Sequence, residues 1–488
     1  MSNFTPAWFK KGFFNESLFC DDFLSTHQLL YSNGAFFTPE GRVTDTMNLR
    51  CEIFDMLRDH IGANIAKRVS NVVDVLKLAA QVEDFPPITD RIALANGTLY
   101  LDGTFQEGKP EIVRNRLPVK YDPKADRPVH WLRFLSDLLY PEDIPTVQEF
   151  IGYCLIPSNK GQRMMVIKGN GGEGKSQIGA VLGALFGSNM KDGSIGKISE
   201  NRFARADLEH ILLCVDDDMR MEALRQTNYV KSIVTAQGKI DLERKGKQSY
   251  QGWMFARLLA FSNGDLQALY DRSDGFYRRQ LVLTTKEKPA GRVDDPDLAE
   301  KMKAEVEGIF LWAFEGLQRL AANNFKFTES QRTRDNREAV KRDNNNVFDF
   351  LELEGYIRLK ADCTISSKEL YEIYRMWCEE NNLTPLKRRS FSDSVIASQN
   401  KYNLKYCNKI TNSSSPPTWT ISSRRRGSTR SGCSIPRGIT ACSSARSPAV
   451  RRPLTTGRRS GRWWSASGIC GCPPTWRPGA PTAAGPWP

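Results

Sequence analysis

Nowhere does this chain run apolar for the ~18–20 residues that a membrane-spanning helix requires. Its first residues, MSNFTPAWFKKGFFNESLF, also lack the layout of a secretory leader. Both absences lead us to expect a soluble intracellular protein with no membrane partner. Metal-ligand spacing is missing as well. Cys20, Cys51, Cys154, Cys214, Cys363, Cys378 and Cys407 are scattered through the body. That scatter argues for reduced, mostly buried thiols rather than zinc or disulfides. The body lacks net charge too. Residues 424–488 hold twelve Arg and no Lys, Asp or Glu, and those twelve account for all but one unit of the net charge of +13. A pI near 9.2 is therefore no argument for nucleic-acid binding by the body, which must be argued from local patches.

The informative stretch is 164–187, MMVIKGNGGEGKSQIGAVLGALFG. An apolar strand-like run meets Gly169-Asn170-Gly171-Gly172-Glu173-Gly174-Lys175-Ser176, and a helix-like run follows, stopping at Gly187. This is G-x-x-x-x-G-K-[ST] in strand–loop–helix context. Glycines let backbone N–H groups turn inward toward phosphate oxygens. The helix start adds its positive end. Lys175 can neutralise the β- and γ-phosphates, and Ser176 can offer its hydroxyl to Mg²⁺.

Further elements follow in order. Residues 209–219, EHILLCVDDDM, read as a buried parallel strand whose end delivers acids, with Asp216 placed to hold Mg²⁺ and Asp217 to orient water. Residues 237–253, QGKIDLERKGKQSYQGW, read as a hairpin whose basic tip contains Arg244, Lys245 and Lys247. Such a tip suits a phosphate backbone, although a basic turn is more often plain solvated surface. Residues 254–264 form another strand-like run, ending at Asn263, either a γ-phosphate sensor or a turn cap. In DRSDGFYRRQLVL, Arg278 and Arg279 stand where an arginine finger or an internal ion pair would fit.

The flanks are less specific. Residues 1–85 read as mostly helical, with helix-spaced apolar positions over 48–61 and 69–82. Residues 86–160 read as a small antiparallel meander, with turns at Asn96-Gly97 and Asp102-Gly103, followed by helices. The core spans 161–325 and closes with one long amphipathic helix over 297–322. Residues 346–422 read as helices followed by short strands, which fits a winged-helix-like module with Lys387, Arg388 and Arg389 at its basic helix, or a structural cap. Residues 423–488 lose apolar periodicity. They read either as a disordered cationic tail or, as we prefer, as a frameshifted read-through without selected structure.

Taken together, the P-loop, VDDD, ERKGK, FSNG and SDGFYRRQL resemble the superfamily 3 helicases, specifically the phage/plasmid and poxvirus-type primase–helicase family. ANGTLYL, LPVKYDP and KELYEIYRMWCEENN extend the resemblance over about 88–422. It implies an α/β fold with a P-loop AAA+ ATPase core, an N-terminal helical/β extension and a C-terminal winged-helix-like module. It also implies a homohexameric ring that uses ATP and Mg²⁺ to move 3′ to 5′ on single-stranded DNA. Such a helicase would open forked DNA during replication of a phage or mobile element, in the cytoplasm of a bacterial host, alongside host or phage replication proteins.

Carried over by position, residues 169–176 bind phosphate, Ser176 and Asp216 hold Mg²⁺, and Asp216 and Asp217 are the acidic pair. Asn263 is the sensor, Arg279 the preferred finger with Arg278 second, and Arg244, Lys245 and Lys247 the DNA-following turn. Fuller members often carry a primase domain. Only about 85 residues precede the matching part, too few for one, so no primer synthesis is expected. The alternatives are an ATP-regulated initiator or anti-phage ring without unwinding, and an unrelated P-loop ATPase such as a chaperone or packaging motor.

Overall fold

The computed structural model describes residues 6–421 apart from 11, 84, 110, 220–226, 264–273, 290, 292, 344–345, 353–355, 358–363, 382, 384, 403 and 408–417. Cys363 and the whole 423–488 segment thus lie outside the described residues.

The N-terminal part is not only helical. β1 (Phe9–Lys10) pairs antiparallel with β2 (Phe13–Phe14) and precedes α1 (Glu16–Thr26). A three-stranded meander follows, β3 (Leu30–Ser32), β4 (Ala35–Thr38) and β5 (Gly41–Arg42). Its first turn is Asn33-Gly34, both at positive φ, the conformation that favours this dipeptide in tight hairpins. Strands of two to four residues leave too little alternation to detect in sequence. α2 (Thr46–Leu57) starts at an Asp45 cap that accepts from the Met47 amide, and α3 (Ile65–Ala79) follows. The helices bury Phe19, Phe23, Ile53, Leu57, Val72 and Leu76 against one another.

β6 (Arg91–Leu94), β7 (Gly97–Tyr100) and β8 (Phe105–Glu107) form the second antiparallel meander. Its second turn contains Asp102-Gly103 as predicted, whereas the first is Ala95-Asn96, one residue before the predicted Asn96-Gly97, because Gly97 already pairs with Leu94. α4 (Val129–Leu138) and α5 (Ile144–Cys154) then pack into the main core.

The central sheet is built from β9 (Met164–Lys168), β10 (Met190–Asp192), β11 (Leu213–Asp216), β14 (Arg257–Ser262) and β15 (Gln280–Thr284). Its order is β10-β11-β14-β9-β15, and all four pairings are parallel. β9, β11 and β14 are apolar along nearly their whole length because both faces are covered. α6 (Ser176–Phe186) follows β9. α7 (Ile195–Glu200) and α8 (Arg202–Ala206) lie between β10 and β11. α9 (Thr227–Thr235) and the antiparallel β12 (Lys239–Leu242)–β13 (Tyr250–Trp253) hairpin lie between β11 and β14. α10 (Asp274–Tyr277) precedes β15. From β9 the chain crosses to the far edge and returns strand by strand to β14; only then does it pass to the other side of β9. The reversal therefore falls at β9, and ligands of open α/β sheets sit beyond the carboxyl ends of strands at such a point.

The long helix predicted over 297–322 is two helices, α11 (Leu298–Lys303) and α12 (Val306–Ala322). Glu305 lies in the break. Its carboxylate accepts from the His130 amide at 3.0 Å and the Trp131 amide at 3.1 Å, capping the start of α4. Periodicity continues through the break, so only the tertiary contact reveals it.

The C-terminal part contains α13 (Gln331–Asp343), α14 (Asn346–Glu352), β16 (Thr364–Ser366), α15 (Ser367–Glu380), α16 (Arg388–Ala397), α17 (Gln399–Tyr402), β17 (Leu404–Cys407) and β18 (Thr418–Ile421). Its strands form an antiparallel sheet in the order β16-β18-β17. Ser366 and Glu369 make a reciprocal capping box at α15. Phe350, Tyr374, Trp377 and Phe391 supply an aromatic core. No described helix is long and apolar enough to cross a membrane.

Candidate phosphate site and basic hairpin

The loop between β9 and α6 lies at the reversal point. Its start is pinned on both sides. The Gly169 amide donates to the Ser262 carbonyl at 2.9 Å, and the Thr285 amide donates to the Lys168 carbonyl at 2.8 Å. Gly171, Gly172 and Gly174 hold φ values of 98°, 78° and 101°, which side chains disfavour. A Cβ on Gly169 would lie 2.6 Å from Lys175 Nζ and 2.7 Å from Thr285 Oγ1. The glycine pattern is therefore required by backbone conformation and by close approach.

The loop already grips an anion. The Glu173 carboxylate turns back into it and accepts from the amides of Asn170 and Gly171. It also accepts from Lys175 Nζ at 2.8 Å. Both partners of that ion pair are buried. Burial alone would raise the Glu173 pKa; the Lys175 hydrogen bond and the backbone amides outweigh it and hold the group below the usual range. The same donors suit phosphate oxygens. Sequence reasoning counted Glu173 as one more loop position and missed its carboxylate as an internal occupant; nothing local distinguishes it from any other residue there.

Asp216 ends β11 and is buried, with Oδ2 accepting from the Ile195 amide at 2.7 Å. Its pKa is raised, chiefly by burial; backbone amides pull it down, and the Asp217 and Asp218 charges add to the rise. Asp217 and Asp218 are exposed. Asn263 follows β14, the neighbour of β9, and its side-chain oxygen lies 3.9 Å from where a Gly171 Cβ would stand. The strand order thus brings the loop and Asn263 together, with Asp216 one strand further out. Among the described residues no three His, Cys, Asp or Glu side chains are arranged to hold a metal. A divalent ion here would take Ser176, Asp216 and phosphate oxygens, a donor set that fits Mg²⁺, which binds through few protein carboxylates plus substrate phosphates.

The two arginines differ. Arg279 is partly buried, and its guanidinium donates back to the Gly275 carbonyl. Arg278 is exposed.

The basic residues of the hairpin also separate. Lys245 and Lys247 are exposed at its tip, where the Lys247 amide closes a turn on the Arg244 carbonyl at 3.0 Å. Arg244 points inward. Its guanidinium donates to Glu209 Oε2 at 3.0 Å and lies 5.1 Å from the Tyr250 ring centroid. Sequence grouped it with the two lysines. The structure gives it a structural bond that only a partner 35 residues earlier could disclose.

Two family models match parts of the chain. Residues 167–279 match a family of unknown function, DUF5906, and residues 342–423 match a family described as poxvirus D5 protein-like. The C-terminal part is thus similar to poxvirus D5 proteins. Two solved structures described as apo forms of the NrS-1 C-terminal region are 12% and 11% identical to this chain. Each alignment covers 83% of this chain and 98% of the other, with TM-scores of 0.45 and 0.47.

Proposed function

We propose that this protein is an ATP-hydrolysing DNA motor, a 3′-to-5′ helicase acting in replication of a phage or mobile element. The observation that carries this reading is the anion cradle at the reversal point of the parallel sheet, where two amides and Lys175 already hold the Glu173 carboxylate. An acidic strand end, Asn263 beside the loop and an exposed basic hairpin accompany it. The D5-like match falls on 342–423, the part containing KELYEIYRMWCEENN.

In this reading the nucleotide phosphates displace Glu173 and take over its donors. Ser176 and Asp216 would hold Mg²⁺, which when bound would supply positive charge against the phosphates. Asp217 orients a water whose oxygen attacks the γ-phosphorus in line. The bond to the β,γ-bridging oxygen breaks, ADP leaves with that electron pair, and the water's proton passes through Asp217 to solvent. Arg278 of an adjoining copy in the ring stabilises the charge on the transferred group; this replaces Arg279 as the preferred finger, because Arg279 is turned onto Gly275. Lys245 and Lys247 follow the DNA backbone.

Two outcomes are expected. Lys245→Ala spares basal hydrolysis and loses strand separation on a forked substrate; intact unwinding by that variant removes the hairpin from the account. Glu173→Gln tightens nucleotide binding by roughly tenfold, because the empty loop no longer holds a competing anion. Titration calorimetry with a non-hydrolysable nucleotide reads this, and unchanged or weaker binding contradicts it. The Glu173 pairing is also pH-dependent. Its pKa is depressed, so its stabilisation of the empty loop is present above the ordinary carboxylate range and is lost as pH falls through the depressed value.

A second reading, an ATP-regulated initiator ring, is favoured by one feature. Lys387, Arg388 and Arg389 are exposed at the start of α16, where a helix could meet duplex DNA. Duplex binding without unwinding of the fork would select it.

A further inference from the structure

Glu209 is a carboxylate with no solvent exposure, and the phosphate chemistry does not use it. Three side chains from two elements converge on it. Arg244 donates to Oε2 at 3.0 Å, and the Tyr250 hydroxyl donates to the same oxygen at 2.6 Å; both residues belong to the basic hairpin. The Asn33 side-chain amide, from the β3–β4 turn, donates to Oε1 at 2.9 Å. The fit is close. A Cβ on Gly252 of β13 would lie 3.0 Å from Glu209 Oε1, and one on Gly34 would collide with Arg244 Nη1. A buried carboxylate is costly unless it is paired and hydrogen-bonded. Each of these bonds reaches the hairpin or the N-terminal part.

Its place in the chain matters as much. Glu209 and His210, the latter at φ 72°, form the turn that leads into β11, and β11 ends at Asp216. One short buried strand therefore joins the acidic end of the phosphate site to the anchor of the hairpin. His210 is packed edge-on against Phe37 of β4 and contacts Arg114, so the N-terminal part bears on this turn from a second side.

We propose that Glu209 is a positioning residue that couples nucleotide hydrolysis to the hairpin, and that the Asn33-Gly34 turn holds it in place. This rests on the DNA-motor reading above. In it the N-terminal part braces the hairpin base, and movement at the Asp216 end of β11 reaches Arg244 and Tyr250 through Glu209. DNA contact itself stays with Lys245 and Lys247.

The test uses the full chain and measures hydrolysis against single-stranded DNA concentration for wild type, Glu209→Gln, Asn33→Asp and the double variant. Asn33→Asp keeps size and tolerates positive φ, but sets a second carboxylate against Glu209. Each single variant is expected to keep basal hydrolysis and the DNA concentration for half-maximal stimulation, while maximal stimulation falls about fivefold or more. The double variant restores much of that loss, because the amide introduced at position 209 can donate to the carboxylate introduced at position 33. A general loss of structure would lower basal hydrolysis and would not be repaired this way. If Glu209→Gln fails to fold, Asn33→Asp alone decides. Wild-type stimulation retained in full by the folded variants overturns the proposal and leaves the motor reading standing. A wild-type protein that hydrolyses ATP without responding to DNA overturns both.

Discussion

Lys175→Ala is expected to abolish ATP hydrolysis and leave the protein folded. The side chain is 7% exposed, and its ammonium donates to Glu173 at 2.8 Å. Its removal leaves the Glu173 carboxylate with the amides of Asn170 and Gly171. The folding cost is therefore that of a partly compensated charge, about 1–3 kcal/mol. The catalytic cost is larger, since in the proposed reading the ammonium is the loop's own charge at the β- and γ-phosphates. A single preorganised donor is worth about 10²–10³ in rate, and a full charge at the transferred group more. Steady-state hydrolysis combined with thermal melting separates the two effects. A variant that melts normally and hydrolyses ATP at the wild-type rate would mean the cradle is not a nucleotide site.

Arg278→Ala is expected to lower the turnover rate by about 10³-fold or more, as loss of an arginine finger does, with nucleotide affinity nearly unchanged. The side chain is exposed next to β15, so its loss leaves little packing behind. Arg279→Ala should differ in kind. That guanidinium holds the Gly275 carbonyl, so its removal loosens the α10–β15 junction and lowers the melting temperature. If the finger reaches a neighbouring copy, mixing Lys175→Ala with Arg278→Ala restores hydrolysis. Interfaces that pair an intact loop with an intact arginine then form in the mixed ring. No restoration, with both variants shown to assemble together, places the arginine's action within its own subunit or outside catalysis.

The strand–glycine loop–helix geometry of 164–187 was legible because its constraints are local. Three of its glycines hold positive φ, a fourth leaves no room for a Cβ, and the flanking strand and helix carry their own patterns. Four of the five strands of the parallel sheet were readable for a similar reason, since strands covered on both faces are written as continuous apolar runs. The edge strand β10, Met-Lys-Asp, carries no such run and was missed. What stayed hidden depends on distant partners. Arg244 stands beside the two lysines in sequence, and its bond to Glu209 comes from a partner 35 residues earlier. Arg278 and Arg279 are neighbours in sequence, and only the fold turns one outward and the other onto Gly275. Glu305 interrupts an apolar stripe without changing its period, to cap a helix that begins at Val129. The N-terminal strands are too short to show an alternation. The tail gave a compositional signal alone, and it lies outside the described residues.

The most direct test of the central claim is ATP hydrolysis by the full chain, with Mg²⁺, measured with and without single-stranded DNA. The account predicts hydrolysis that rises on adding DNA and disappears in the Lys175→Ala variant. Hydrolysis indifferent to DNA, or none from folded protein that assembles, would contradict it.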